Sequence, residues 1–166
     1  MGHMLKGNRV QFMSGADIKE VARNFCRLLK VDRSTVGNFA AFLERLSVFN
    51  ICLDPVDDEE WLCFTEAACD PTTFRIMLPN STYEKACKGD HAAISTIFHE
   101  IGHLVLGHRP VLHKSSGNPV REEDAEWQAD EFATYVCNHM GLVPWQLCFD
   151  FSATRKRKRS RTLARS

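Results

Sequence analysis

At 166 residues and 44% hydrophobic content, the chain has enough apolar side chains for one sizeable core and too few residues for two. No stretch approaches the roughly 18 uninterrupted apolar residues of a membrane-crossing helix, and the N-terminus lacks an apolar segment with a cleavage site, so a soluble, cytoplasmic domain is expected. The zero net charge hides a division: residues 155–166 carry seven Lys/Arg and no acid, leaving 14 basic against 21 acidic side chains in residues 1–154.

Met1-Gly2-His3-Met4 has the look of a cloning scar, and residues 1–13 are read as scar and N-terminal extension ahead of a domain over 14–150. Ser14 and Asp17 can start a helix over 15–30, with Ile18, Val21, Ala22, Phe25, Leu28 and Leu29 at helical spacing. After the turn-like stretch 30–34, the residues Val36, Phe39, Ala40, Leu43 and Leu46 repeat that period, predicting a second helix to about Val48. Two successive helices invite a helix-turn-helix reading, but the second carries Arg45 as its one basic residue, a poor footprint for DNA.

From Asn50 the period changes. Ile51-Cys52-Leu53, Trp61-Leu62-Cys63-Phe64-Thr65 and Phe74-Arg75-Ile76-Met77-Leu78 read as short strands separated by turns, which predicts a small antiparallel sheet. Asp90 can cap a helix over 91–107, closed by Gly107 and Pro110. A polar loop over 108–120 precedes a last long helix from about Arg121 to His139, with Glu122, Glu123 and Asp124 in its first turn, where the helix dipole favours acid. The fold class expected is therefore α+β. Residues 151–166 form a basic tail that repels itself and has little to bury, so it is expected to be disordered when free and able to contact nucleic acid or an acidic surface.

Seven cysteines (26, 52, 63, 69, 87, 137, 148) form an odd set with no C-x-x-C pair, which argues for reduced thiols and against a thiolate zinc site. The chemistry points instead to His99-Glu100-Ile101-Gly102-His103, an H-E-x-x-H run in an apolar helix. Helical geometry sets the two imidazoles one turn apart on one face, half of a zinc site, and Glu100 lies about 100° around the helix, placed to act as a general base on a metal-bound water.

A catalytic zinc ion needs a third protein ligand. A histidine six residues beyond His103 is missing, since Arg109 stands there, with Leu106 where that pattern has glycine. His108 would point about 140° away on a continuing helix and is read as a surface residue. Glu126 is the better candidate: it aligns with Asp130 one turn later on a stripe otherwise made of Ala129, Ala133, Val136 and Cys137, where an unpaired carboxylate is costly. Zinc would satisfy Glu126, and the N–H of a ligand imidazole would satisfy Asp130. Glu122, Glu123 and His113 stand next in line as ligands. Tyr135, His113, His139 and Arg121 are candidate donors to an oxyanion.

The H-E-I-G-H-L-V-L-G-H run at 99–108, the segment Glu126-Trp127-Gln128-Ala129-Asp130-Glu131-Phe132-Ala133 and Pro144 beyond it resemble the ImmA/IrrE metallopeptidases over about residues 74–144. The resemblance implies a zincin-like fold, one catalytic zinc ion on His99, His103 and Glu126, and Glu100 as the base. It also implies a cytoplasmic regulatory endopeptidase that cleaves a helix-turn-helix transcriptional repressor. A non-catalytic regulator that binds a repressor or DNA through a zinc-stiffened site is the alternative, and a zinc hydrolase of small amides a third reading.

Overall fold

Ser14 opens the first helix, α1 (Gly15–Leu29), through a reciprocal cap: its hydroxyl accepts from Asp17 N–H at 3.2 Å, and the Asp17 carboxylate accepts from Ser14 N–H at 3.3 Å. In this computed structural model, residues 4–61, 65–109 and 117–142 are described. Ile18, Ala22, Phe25, Cys26 and Leu29 of α1 face the core, whereas Leu28 lies on the surface.

The single helix predicted over 36–48 is broken into a 3-10 segment (Arg33–Asn38), α2 (Phe39–Arg45) and a second 3-10 segment (Leu46–Phe49). Asp32 sets this start, its carboxylate accepting from Ser34 N–H at 2.8 Å while Thr35 Oγ1 accepts from Asp32 N–H at 3.0 Å. The predicted apolar face survives the break, with Phe39, Leu43 and Leu46 buried.

The sheet has three strands, β1 (Cys52–Val56), β2 (Ala68–Asp70) and β3 (Arg75–Pro79), in the order β1-β3-β2. It is mixed rather than antiparallel: β2 and β3 form an antiparallel hairpin, but β1 runs parallel to β3, pairing Leu53 with Ile76 and Pro55 with Leu78. Residues 57–67 are long enough to carry the chain across the sheet, so β1 ends up on the far side of β3. Trp61 lies outside any strand, residues 62–64 of the predicted middle strand lie outside the described residues, and β2 comes instead from Ala-Cys-Asp, a triplet with no β-branched residue. Pro55 is tolerated because β1 is an edge. The central β3 buries Ile76 and Leu78 completely.

A short helix, α3 (Asn80–Cys87), follows β3 directly; its N-cap residue Pro79 has no capping side chain, the distant Asp58 carboxylate accepting from Ser81 N–H at 3.0 Å instead, and only Thr82 and Ala86 are buried, so its periodic signal is faint. Asp90 caps α4 (His91–Val105), accepting from Ala93 N–H at 2.9 Å. The helix predicted from Arg121 begins as a 3-10 turn (Arg121–Glu123), and α5 spans Ala125–His139. Asp124 is not a first-turn acid but the N-cap, in extended conformation and fully buried.

Phe25 of α1, Phe39 and Phe42 of α2, Phe98 of α4 and Phe132 of α5 meet with ring centroids 5.3–6.5 Å apart, mostly edge to face, and weld four helices into one core. Residues 6–13 of the N-terminal extension lie along the start of α5. Lys6 and Gly7 N–H donate to the Asp124 carboxylate at 2.8 and 3.1 Å, Val10 N–H to Glu123 O at 2.8 Å and Met13 N–H to Glu122 O at 3.1 Å. Val10 is the buried residue of this strap. The five described cysteines are unpaired, and no helix among the described residues is long and apolar enough to cross a membrane.

Candidate metal centre

Two helices build the site. α4 supplies His99 and His103 from successive turns of one face, and α5 crosses it closely enough to bring in Glu126 and Asp130. The close crossing depends on Gly102: a Cβ there would lie 3.3 Å from both Cα and O of Ala129 and 3.2 Å from Phe132 Cδ1.

His99 Nε2 lies 3.0 Å from His103 Nε2 and 3.1 Å from Glu126 Oε2, and His103 Nε2 lies 3.5 Å from Glu126 Oε1. A zinc ion about 2.0–2.1 Å from each of three tetrahedral ligands holds them about 3.3 Å apart, so the observed spacing is that of a tetrahedral face. His99 Nδ1 sits 2.8 Å from Asp130 Oδ1. A carboxylate only accepts, so that nitrogen carries the proton and Nε2 turns towards the cluster. Glu126 turns inward among the imidazoles, and Asp130 stands behind one of them. His99, His103 and Glu126 are the group among the described residues whose donor atoms converge closely enough to hold a metal ion.

No family model, curated protein or solved structure matches this chain.

Burial works against a charged His99, but its hydrogen bonds to Asp130 and Glu126 prevail and its pKa is pushed up to about 10. Burial and the neighbouring His99 and His108 charges push His103 down to about 4. The hydrogen bond from His99 holds the Glu126 carboxyl below its ordinary range. Burial raises Glu100, opposed by the His99 charge and by a hydrogen bond from the Cys69 thiol. Cys69, on β2, is itself pushed up to about 12 by burial and by the Glu100 charge.

A cavity of about 980 Å³ opens over these groups, with His99, Glu100, His103 and Glu126 in its lining. The strap contributes Asn8 and Val10, and the β2 side contributes Ala67, Ala68 and Cys69. Glycine at position 7 lets the strap pass close to Glu126, since a Cβ there would lie 2.6 Å from Glu126 Cγ. A second cavity of about 640 Å³, beside α2 and β1, is lined by Leu43, Ile51, Leu53 and Tyr83 and brings no comparable donor cluster together.

His108 is not the surface residue its helical position suggested. Gly107 takes a left-handed conformation (φ +66°) and reverses the chain after α4, so His108 is buried with its Nδ1 2.7 Å from Nδ1 of His103. Gly107 was the available signal, because the 140° offset assumed a helix that continues. Of the candidate oxyanion donors, Tyr135 stacks on His139 at 6.3 Å and Arg121 lies over the Trp127 ring at 4.8 Å; none of the three is among the described residues lining the cavity. His113 lies outside the described residues. Of the reserve ligands, Glu123 is engaged by Arg9 at 2.7 Å and Glu122 by Arg121 at 3.4 Å.

Proposed function

We propose that this protein is a zinc-dependent endopeptidase with a zincin-like arrangement of sheet and active-site helix. The observation that carries the reading is the convergence of His99, His103 and Glu126, with donor atoms 3.0–3.5 Å apart, beside a glutamate that is not part of the cluster. Zinc held by His99, His103 and Glu126 would supply an acidified water and a polarised carbonyl. Glu100 would serve as the proton acceptor and donor beside it, its carboxyl raised by burial towards the range in which it can do both. Asp130 holds His99 by its outer nitrogen, and the strap at Gly7 confines Glu126.

Two features support a peptide over a small amide. The cavity is flanked by β2, which in the described sheet pairs on one side only, with β3, leaving its other edge able to align an extended chain. Its volume of about 980 Å³ is also at the upper end for small-molecule pockets. The resemblance to ImmA/IrrE metallopeptidases supplies the substrate class, a helix-turn-helix repressor.

The test is incubation of zinc-loaded protein with candidate repressors and an unstructured casein substrate, in parallel with Glu100→Gln and with a chelator. Fragments that appear with the unaltered protein, and disappear in both other arms while Glu100→Gln retains its zinc, are the expected result. Fragments that persist with Glu100→Gln remove Glu100 from the base role. Tight repressor binding without fragments establishes the non-catalytic regulator instead.

A further inference from the structure

Beyond His103 Nδ1 runs a mostly buried polar chain, beginning at His108 on the cavity wall, that none of the roles assigned above uses. His103 Nδ1 is 2.7 Å from His108 Nδ1, and His108 Nε2 is 2.9 Å from Oε1 of Gln128. The Gln128 amide nitrogen donates to two backbone carbonyls, Gln11 O at 2.9 Å and Glu122 O at 2.6 Å. His108 is 7% exposed and Gln128 1% exposed, so neither has water to fall back on.

The directions along this chain follow from its far end. Two carbonyls can only accept, so the Gln128 NH2 faces them and Oε1 faces His108. An amide oxygen also only accepts, so His108 Nε2 carries the proton, and the neutral ring then presents a bare lone pair at Nδ1. The only proton that can fill the 2.7 Å gap to His103 belongs to His103 Nδ1. His103 Nε2 is therefore left bare, facing His99 Nε2 and the Glu126 carboxylate.

We infer that His108 and Gln128 are positioning residues that fix the tautomer of His103, so that its Nε2 is presented to a metal ion as a lone pair. Asp130 does the same for His99 from the opposite side by a charged acceptor; the His103 arm uses a neutral relay anchored in the strap backbone at Gln11. The inference rests on the reading that the triad holds zinc. With zinc bound, both imidazoles would turn bare nitrogens to the ion; in the metal-free protein a proton on His99 Nε2 bridges to Glu126 while His103 Nε2 stays bare.

The test separates orientation from space-filling. In His108→Leu the space stays filled, but the acceptor is gone. In His108→Asn the amide oxygen occupies roughly the place of Nδ1, so the acceptor returns in a smaller, polar side chain. Zinc affinity is measured by competition with a chromophoric chelator, with melting temperature in excess chelator reporting the fold separately. The expected order is unaltered protein, then His108→Asn within about threefold, then His108→Leu weaker by about 10–100-fold. Affinity in His108→Leu equal to or above that of His108→Asn overturns the inference, because packing alone would then explain the residue. The proton positions are read independently by long-range ¹H–¹⁵N correlation on the metal-free and zinc-loaded protein. A proton on Nε2 of His108 and on Nδ1 of His103 is expected, and a proton on Nδ1 of His108 overturns the inference whatever the metal does. Failure of the unaltered protein to bind zinc sinks the metal reading instead, and is distinguishable because the tautomer measurement does not need the metal.

Discussion

Gly102→Ala tests whether the crossing of α4 and α5 is as tight as the centre requires. Within a helix this substitution ordinarily stabilises by about 1 kcal/mol, because glycine loses more backbone entropy on folding. Here the new methyl would meet Ala129 Cα and O at 3.3 Å and Phe132 Cδ1 at 3.2 Å, inside the 3.4–4 Å of ordinary contact. Two of the three atoms belong to the α5 backbone, so no side-chain rotation relieves the contact and α5 itself must move by a few tenths of an ångström. Overpacking of this kind costs about 1–3 kcal/mol, which leaves a net loss of roughly 0–2 kcal/mol after the propensity gain. For a domain of this size that is a fall in melting temperature of up to about 8 °C, measured in excess chelator. Zinc affinity should fall by about tenfold, since Glu126 rides on the displaced helix one turn from Ala129. Gly37→Ala serves as control, because a Cβ there meets nothing within 4 Å. A Gly102→Ala protein that melts higher than the parent and binds zinc equally well would refute the reasoning, since the helices would then have slack between them.

Glu126→Ala should lower zinc stoichiometry in purified protein and remove most of the thermal stabilisation by zinc, which at 100 times the dissociation constant amounts to about 2.7 kcal/mol in the parent; an unchanged metal content would move the third ligand elsewhere. Asp124→Ala removes the acceptor for Lys6, Gly7 and Glu126 N–H together and should cost about 3 kcal/mol by denaturant titration, well above an ordinary cap, with accelerated proteolysis of residues 6–13. In the metal-free protein, His99 is raised to about 10, so its contribution is complete below about pH 6.5 and lost as pH rises towards 10. His103 is lowered to about 4, so its contribution is complete above about pH 6.5 and lost as pH falls towards 4. Chelated protein should therefore be most stable near pH 6.5 and zinc-loaded protein should not show the alkaline decline; a flat chelated profile between pH 5 and 9 would contradict both shifts.

The parts of the centre that were legible in the sequence are those fixed by helical period alone. His99 and His103 stand four apart, as do Glu126 and Asp130, and a four-residue step places side chains on one face wherever the helix lies. That the two faces meet is a tertiary fact, inferable only because carboxylates on an apolar stripe need partners. His108 escaped because its direction depends on one left-handed glycine, and extrapolating α4 past Gly107 sent the side chain to solvent. The sheet was misread for a related reason: strand pairing was inferred from connection length, while β1 bypasses its sequence neighbour and pairs with β3. The strap at 6–13 has no hydrophobic period, and its single buried anchor is Val10. Its other attachments are backbone hydrogen bonds, the Asp124 carboxylate, the Arg9–Glu123 ion pair and the Gln128 amide on Gln11 O, which a residue pattern does not display.

Each donor of the centre is held from behind by a further polar group. Asp130 takes the outer nitrogen of His99, His108 faces the outer nitrogen of His103, and Asp124 caps the helix that presents Glu126 while binding the strap that passes over it. A pair of histidines kept only to fill a core would gain nothing from such an arrangement, since each outward hydrogen bond commits an inner nitrogen to face other acceptors. Bringing acceptors together unpaired is unfavourable unless a cation or a proton joins them. Glu100 stands apart from this scaffolding, contacting Cys69 of β2 instead of the cluster. A metal site serving structure alone has no use for a raised carboxyl on the cavity side of its ligands, which is why the proposed base, more than the ligand set, separates a peptidase from a zinc-stiffened binding module.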